Sequence, residues 1–269
     1  MIPAVTYRKN HCYAPALILG LLLAFIAGCA ARQPMLHPDA APAEAWARFQ
    51  ETQQASAAMP NAFSLSASLY YSAEGRTNRT ILDIWGNRAY PLRLNIRAGI
   101  GTTLAHMRED GDGLMVFYPS ENKAFIHPDS RAAMPALGLD LPFNLRDLSM
   151  LLLGSASRLM PAEYTSARLD GQAYVYTLSS GSAIAEVRLL PDGSLSSLAG
   201  RGKQPWRIDI TEYKQISEAG IIPGRLAMSV PPKQRATLRL RTLSFRDEPW
   251  ATSALELKLP PQIEAAVVP

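Results

Sequence analysis

The sequence predicts a mainly β (α+β) protein built on an antiparallel meander with a few short helices, and three observations carry that prediction. Beyond Asn61 the chain breaks into short runs in which apolar and polar side chains alternate, the period of a half-buried strand. Turn-forming clusters such as Glu74-Gly75-Arg76, Asp110-Gly111-Asp112-Gly113 and Pro191-Asp192-Gly193-Ser194 separate the runs at spacings of about ten residues. No long helical stretch lies between consecutive runs, which excludes alternating βαβ units and a parallel sheet.

Residues 1–28 read as an export signal. Arg8 and Lys9 precede the unbroken apolar stretch Leu17 to Ala27, which ends in small residues. At ~1.5 Å per residue that stretch makes a helix of ~16 Å, too short for the ~30 Å hydrocarbon layer, so cleavage is expected rather than a membrane span. Ile26-Ala27-Gly28-Cys29 has the aliphatic, small, small, Cys order of a bacterial lipobox and resembles a lipoprotein signal. Cys29 then becomes the lipidated N-terminus. Cys12 lies in the discarded part, so Cys29 is the only cysteine left and an internal disulfide is impossible. Two or three acyl chains at ~0.8 kcal/mol per buried methylene hold a protein durably where one does not. Ala30, rather than Asp, after the cysteine resembles the outer-membrane sorting signal of Gram-negative lipoproteins, with the domain facing the periplasm. Loss of Arg8 and Lys9 lowers the formal charge from +4 to +2, and no Lys/Arg cluster interleaved with aromatics points to nucleic acid.

Residues 29–42 are Ala-, Pro- and Gln-rich and read as a flexible tether. Glu44 to Met59 predicts a helix with Trp46 and Phe49 on one face, ended by Pro60. Strands are expected in Ser64 to Tyr71, Thr80 to Gly86, Pro91 to Ile96, Thr102 to Arg108, Leu114 to Pro119 and Ala124 to His127. Leu137 to Pro161 interrupts the rhythm. There Asn144 is an expected N-cap, Leu145, Leu148, Leu151 and Leu152 form a stripe, and Gly154 is an expected C-cap. Strands resume at Ala173 to Leu178, Ala183 to Leu190, Leu195 to Gly200, Trp206 to Tyr213, Gly224 to Val230 and Thr237 to Phe245. Residues 43–249 thus form the domain, and 250–269 read as a C-terminal tail.

Three stretches together resemble the LolB-like outer-membrane lipoproteins and the wider LolA/LolB-like half-barrel superfamily: the lipobox, "LPFNLRDLSMLLLG" from Leu141, and "WRIDITEYKQISEAGIIPGRLAMSV" from Trp206. "LRLNIRAGIGTTLAHM", from Leu92, matches the family's strand, Gly-containing loop and strand. The resemblance spans residues 60–245 and leaves the tether and tail without a carried-over role. It implies a strongly curved antiparallel sheet forming an incomplete barrel, lidded by short helices over a cavity for acyl chains. Expected cavity residues are Leu69, Trp85, Leu94, Met107, Val116, Ile184 and Ile208, with Leu148 and Leu152 from the lid; each alternatively belongs to an ordinary core. Ile100, between Gly99 and Gly101, matches the family's protruding aliphatic residue that enters the membrane, an insertion yielding about 1.5–3 kcal/mol; alternatively it is a turn residue that folds back under the sheet.

Catalysis is not expected. His106 and His127 are isolated from other metal-ligand types, the serines lack a hydrolase elbow, and Gly99-Ile100-Gly101 is too short for a dinucleotide fingerprint. Asp110 and Asp112 read as a solvated turn, and no cofactor is implied. The function expected is non-enzymatic: acceptance of lipoprotein or lipid cargo, from a partner resembling the periplasmic carrier LolA, and its delivery to the outer membrane. The alternative is a scaffold lipoprotein that binds another envelope protein without lipid.

Overall fold

The computed structural model describes residues 42–73, 76–99, 101–136, 143–201, 205–216, 220–230 and 234–268. The expected lipidation site Cys29, the signal and most of the tether lie outside them, as does Ile100. Helix α1 (Pro42–Ala57) comes first. It is followed by β1 (Ala62–Ala73), β2 (Arg76–Asn87), β3 (Leu92–Ala98), β4 (Thr103–Asp110), β5 (Gly113–Tyr118) and β6 (Lys123–His127). Helices α2 (Ser130–Ala136) and α3 (Leu145–Leu152) and a 3-10 turn at Ser157–Leu159 interrupt the strands. Then come β7 (Ser166–Asp170), β8 (Ala173–Thr177), β9 (Ile184–Leu189), β10 (Leu195–Gly200), β11 (Trp206–Ile216), β12 (Gly220–Val230) and β13 (Gln234–Arg246). A short helix α4 (Thr252–Leu255) and β14 (Ala265–Val267) follow.

Among the described residues all these strands form one curved sheet, in the order β14, β6, β5, β4, β3, β2, β1, β13, β12, β11, β10, β9, β8, β7. Neighbours are antiparallel except β14 against β6. The end strands β14 and β7 do not pair, so the barrel stays open. Register shifts at Ser66/Ala67, Ile96/Arg97 and Ile210/Glu212 add local bends of the kind that curve a sheet.

Period-two alternation decides the inner face. Leu65, Ile84, Leu94, Met107 and Val116 are successive cross-strand partners, each 5% exposed or less. On the other half Tyr176, Val187, Leu198 and Ile208 do the same. Helices α1 and α3 cover this face. Pro42 opens α1 at a position where its missing N–H is harmless. Trp46 packs against Phe49, Tyr164 and Tyr176 and donates its indole N–H to the Ala162 carbonyl at 3.0 Å.

The α3 caps follow the expected chemistry. The Asn144 side chain accepts the Asp147 N–H at 2.8 Å and donates to Ser130 Oγ at 3.0 Å. At the other end Gly154, with φ +76°, donates to the Leu151 carbonyl while Ser155 donates to Met150, the paired bonds of a Schellman ending. Asn144→Ala is expected to lower stability by about 1 kcal/mol, read as a shifted denaturation midpoint at unchanged m-value.

Residues 250–269 read as a tail; the structure lays 250–268 across the sheet as a strap. The Trp250 N–H donates to Asn87 Oδ1 at 3.0 Å and its indole N–H to the Phe63 carbonyl at 3.0 Å. Trp85 donates to the Ala254 carbonyl at 3.4 Å, Arg93 donates to the Glu256 carbonyl, and Leu255 is fully buried. The strap ends in β14, on the free edge of β6. It lacks apolar periodicity because side-chain donors of the sheet, rather than a stripe of its own, hold its backbone. Strand β7 and helix α2 are two further elements the pattern did not announce.

Candidate functional site

An apolar cavity lies where the sheet fails to close. Alternation points Leu114, Val116 and Tyr118 of β5 and Phe125 and His127 of β6 into it, Leu114 facing His127 and Val116 facing Phe125 across the ladder. Ala133 of α2 forms the roof. Val268, whose N–H donates to the Ile126 carbonyl at 2.8 Å, supplies the last wall. The volume is about 250 Å³, and the hollow is partly open to solvent.

The chemistry of the wall is almost uniformly hydrocarbon and aromatic. His127 is 9% exposed and its Nδ1 accepts the Asp129 N–H at 3.0 Å, which satisfies that ring nitrogen internally. The Tyr118 pKa is raised, first by burial and then by the Glu121 charge, so its phenol stays neutral. Tyr118 meets Phe125 edge-on at 6.1 Å. Such a surface can take up an apolar chain. The volume sits just below the ~300–1,000 Å³ of typical ligand pockets, room for part of a long chain rather than all of it.

Behind the cavity the inner face carries Glu109, fully buried between Leu92 and Leu114. Its carboxylate accepts the Tyr90 hydroxyl at 2.9 Å and the Leu145 N–H at 2.6 Å, fastening β4 to the start of α3. Burial pushes its pKa up to about 7, against the lowering effect of those hydrogen bonds. Gln53 does the equivalent work for α1: its Oε1 accepts from Ala156 N at 2.6 Å and Ser157 N at 3.0 Å, and its Nε2 donates to the Gly154 carbonyl at 3.1 Å. Sequence reading passed over both. For Gln53 a signal existed, since it falls four residues after Phe49 on the apolar stripe of α1.

The sequence-predicted cavity residues separate into three groups. Val116 lines the cavity, with Leu94 and Met107 beside it in the same cross-strand row. Leu152, Ile184 and Ile208, each 1% exposed or less, are packed core, while Leu69 and Leu148 are half-buried at its margin. Trp85 points to the opposite face. Ile84 pairs with Leu65 on the inner side, which turns the next residue outward, over Ser64 and beneath the Arg93 guanidinium at 5.3 Å. Two adjacent large apolar residues, Ile84 and Trp85, made the strand's parity ambiguous in sequence. It now lines an outer-face groove with Trp250.

Ile100 lies outside the described residues, but its neighbour Gly101 is described. Gly101, at φ +99°, donates to the Ala98 carbonyl at 2.9 Å, and a Cβ on it would meet no atom within 4 Å. His106 stands apart on the outer face, its Nδ1 2.7 Å from Asn95 Oδ1, and Asp110 accepts the Asp112 N–H while pairing with Arg108. Among the described residues no three His, Cys, Asp or Glu side chains are grouped to hold a metal, and no helix is long and apolar enough to cross a membrane.

No protein-family model matches the sequence, and no curated protein is significantly similar to it. Solved structures are similar in fold. A DUF1329 family protein from Desulfovibrio piger superposes with a TM-score of 0.52 at 12% identity, over 79% of this chain and 98% of that one. A domain described as an outer membrane lipoprotein-sorting protein, from Vibrio parahaemolyticus, gives 0.52 at 10% identity, over 75% and 92%. A LolA superfamily protein from Nitrosomonas europaea gives 0.49 at 12% identity, over 78% and 97%. The chain shares the fold of the first two, one curved antiparallel sheet left open and covered by short helices.

Proposed function

We propose that this chain is a lipid-anchored envelope protein that takes acyl chains of lipoproteins or lipids into the cavity between β5, β6 and α2 and delivers them to the outer membrane. The observation that carries the reading is the apolar lining of that cavity at the unclosed end of the sheet. In this reading Cys29 bears the anchor, residues 29–42 are the tether, and Ile100 enters the receiving leaflet. Cargo comes from a soluble periplasmic carrier of the LolA kind. The similarity in fold to a domain described as lipoprotein-sorting supports the same direction. No covalent step is required: an acyl chain passes between apolar surroundings of similar free energy, and direction follows from which site holds it more tightly.

The test is the lipid content of the full chain carrying Cys29→Ser, which blocks lipidation. Mass spectrometry after purification is expected to find co-purified acyl lipid. Ala133→Phe, which fills the roof of the cavity, is expected to reduce the lipid-to-protein ratio at least tenfold, a loss of about 1.4 kcal/mol in affinity. A lipid-free chain, or equal lipid in both forms, favours the scaffold alternative. Ile100→Glu is expected to leave lipid content unchanged and to slow transfer to liposomes; an unchanged transfer rate removes Ile100 from the mechanism.

A further inference from the structure

On the far side of α2 lies a second cleft, of about 310 Å³ and different character. Arg131 and Ala133 stand two positions apart on that helix, about 200° around its axis, so α2 presents Ala133 to the apolar cavity and Arg131 to this cleft. The helix thus contributes one residue to each, Ala133 to the hydrocarbon space and Arg131 to the charged one.

The floor of the cleft is apolar, formed by Phe143, Met160 and Ile184, which are 3%, 8% and 0% exposed. The rim is not. Arg131 donates through Nε and Nη2 to Asp147 Oδ2 at 3.1 and 3.0 Å, a pair that cancels its own charge. The remaining cation on the rim is Arg158, exposed on the 3-10 turn. Its field reaches Arg88, whose pKa is lowered first by burial and then by Arg158. Facing Arg158 is the turn between β8 and β9, where the Ser182 N–H donates to the Ser179 carbonyl and Ser182 Oγ accepts the Ile184 N–H at 3.2 Å. Beyond the Arg131–Asp147 pair, the lining of the cleft thus carries the Arg158 cation, two serine hydroxyls and an apolar floor, with Arg201 donating to the Ser179 carbonyl behind the turn.

The geometry points to a binding site for the phosphate-class anionic headgroup of an amphiphile whose acyl chain occupies the cavity on the Ala133 side of the same helix. An arginine with hydroxyl donors suits phosphate oxygens, and an apolar floor suits the glycerol and first methylenes beneath them. The inference rests on the acyl-binding reading above for its tail, and on the cleft alone for its headgroup.

Binding of two fluorescent lipids with identical acyl chains, phosphatidylglycerol and diacylglycerol, to the full Cys29→Ser chain separates the parts. Arg158→Glu is expected to raise the Kd for phosphatidylglycerol at least tenfold and to leave that for diacylglycerol within twofold; Arg158→Lys retains most of the phosphatidylglycerol affinity. An unchanged phosphatidylglycerol Kd, or equal weakening of both lipids, overturns the assignment. If neither lipid binds, the acyl-cavity reading fails by itself, and inorganic phosphate then tests the cleft. A saturable shift of the Ser179–Ile184 amide resonances, lost in Arg158→Glu, makes the site one for free anions and removes the lipid. Absence of such a shift overturns the site entirely.

Discussion

Glu109→Ala is expected to lower the stability of the folded chain by about 3 kcal/mol, because it strands two donors and opens a void at once. The Leu145 N–H and the Tyr90 hydroxyl both end on this carboxylate, and the Leu145 N–H is buried with it, away from water. The Arg146 guanidinium, stacked on the Tyr90 ring at 4.6 Å, would lose its platform's anchor as well. Glu109→Gln keeps the shape and an acceptor for Leu145, and is expected to recover most of the loss.

The same residue makes stability pH-dependent with a definite sign. Its folded pKa of about 7 lies above the ordinary 4.5, so between those values the folded chain holds a proton that the unfolded chain has released. Stability therefore falls as pH rises through that window, by up to about 3 kcal/mol at 1.36 kcal/mol per unit, and levels off above it. Urea denaturation at pH 5 and pH 8 reads the difference. Glu109→Gln is expected to flatten this contribution; an equal pH difference in both proteins would place it elsewhere.

Gly113→Ala is expected to cost about 3 kcal/mol or more, for a reason confined to the backbone. Gly113 opens β5 at φ +127°, a region closed to other residues, and a Cβ there would stand 2.1 Å from the His127 carbonyl oxygen and 2.9 Å from Pro128 Cα. Neither contact is a flexible side chain that could swing aside. Relief requires β5 and β6 to separate at the Leu114–His127 pair, which is a wall of the apolar cavity. Thermal unfolding should fall by roughly 6–12 °C for a domain of this size. Gly111→Ala, in the same turn but with nothing within 4 Å, is the control and should stay within about 0.5 kcal/mol.

Much of the fold was legible because alternation and turn chemistry are local. The strands from Leu92 to Ile96 and from Trp206 to Tyr213 declare their inner faces through every second residue, and Asn144 and Gly154 announce the ends of α3. What was not legible depends on partners far along the chain. Nothing near Glu109 in sequence shows that it meets Leu145, and a carboxylate flanked by Arg108 and Asp110 reads as surface. Trp85 faces outward, against expectation, since the parity of its strand is set by pairing with Leu65 and Ser64, not by its own neighbours. Most of the cavity's walls eluded prediction for the same reason: beyond Val116 they come from neighbours on β5, from β6, α2 and residue 268, which only tertiary structure assembles.

The strap has a bearing on how the cavity comes into being. Its terminal strand runs parallel to β6 and joins it from far downstream in sequence, so the pairing waits until the chain has been made through residue 267. Until Val268 docks, the hollow beside Phe125 stands open to solvent along one whole side. A nascent chain would then be at its most receptive, and at its stickiest, just before maturation ends. Fusing a rigid partner after residue 268 should prolong that exposed stage.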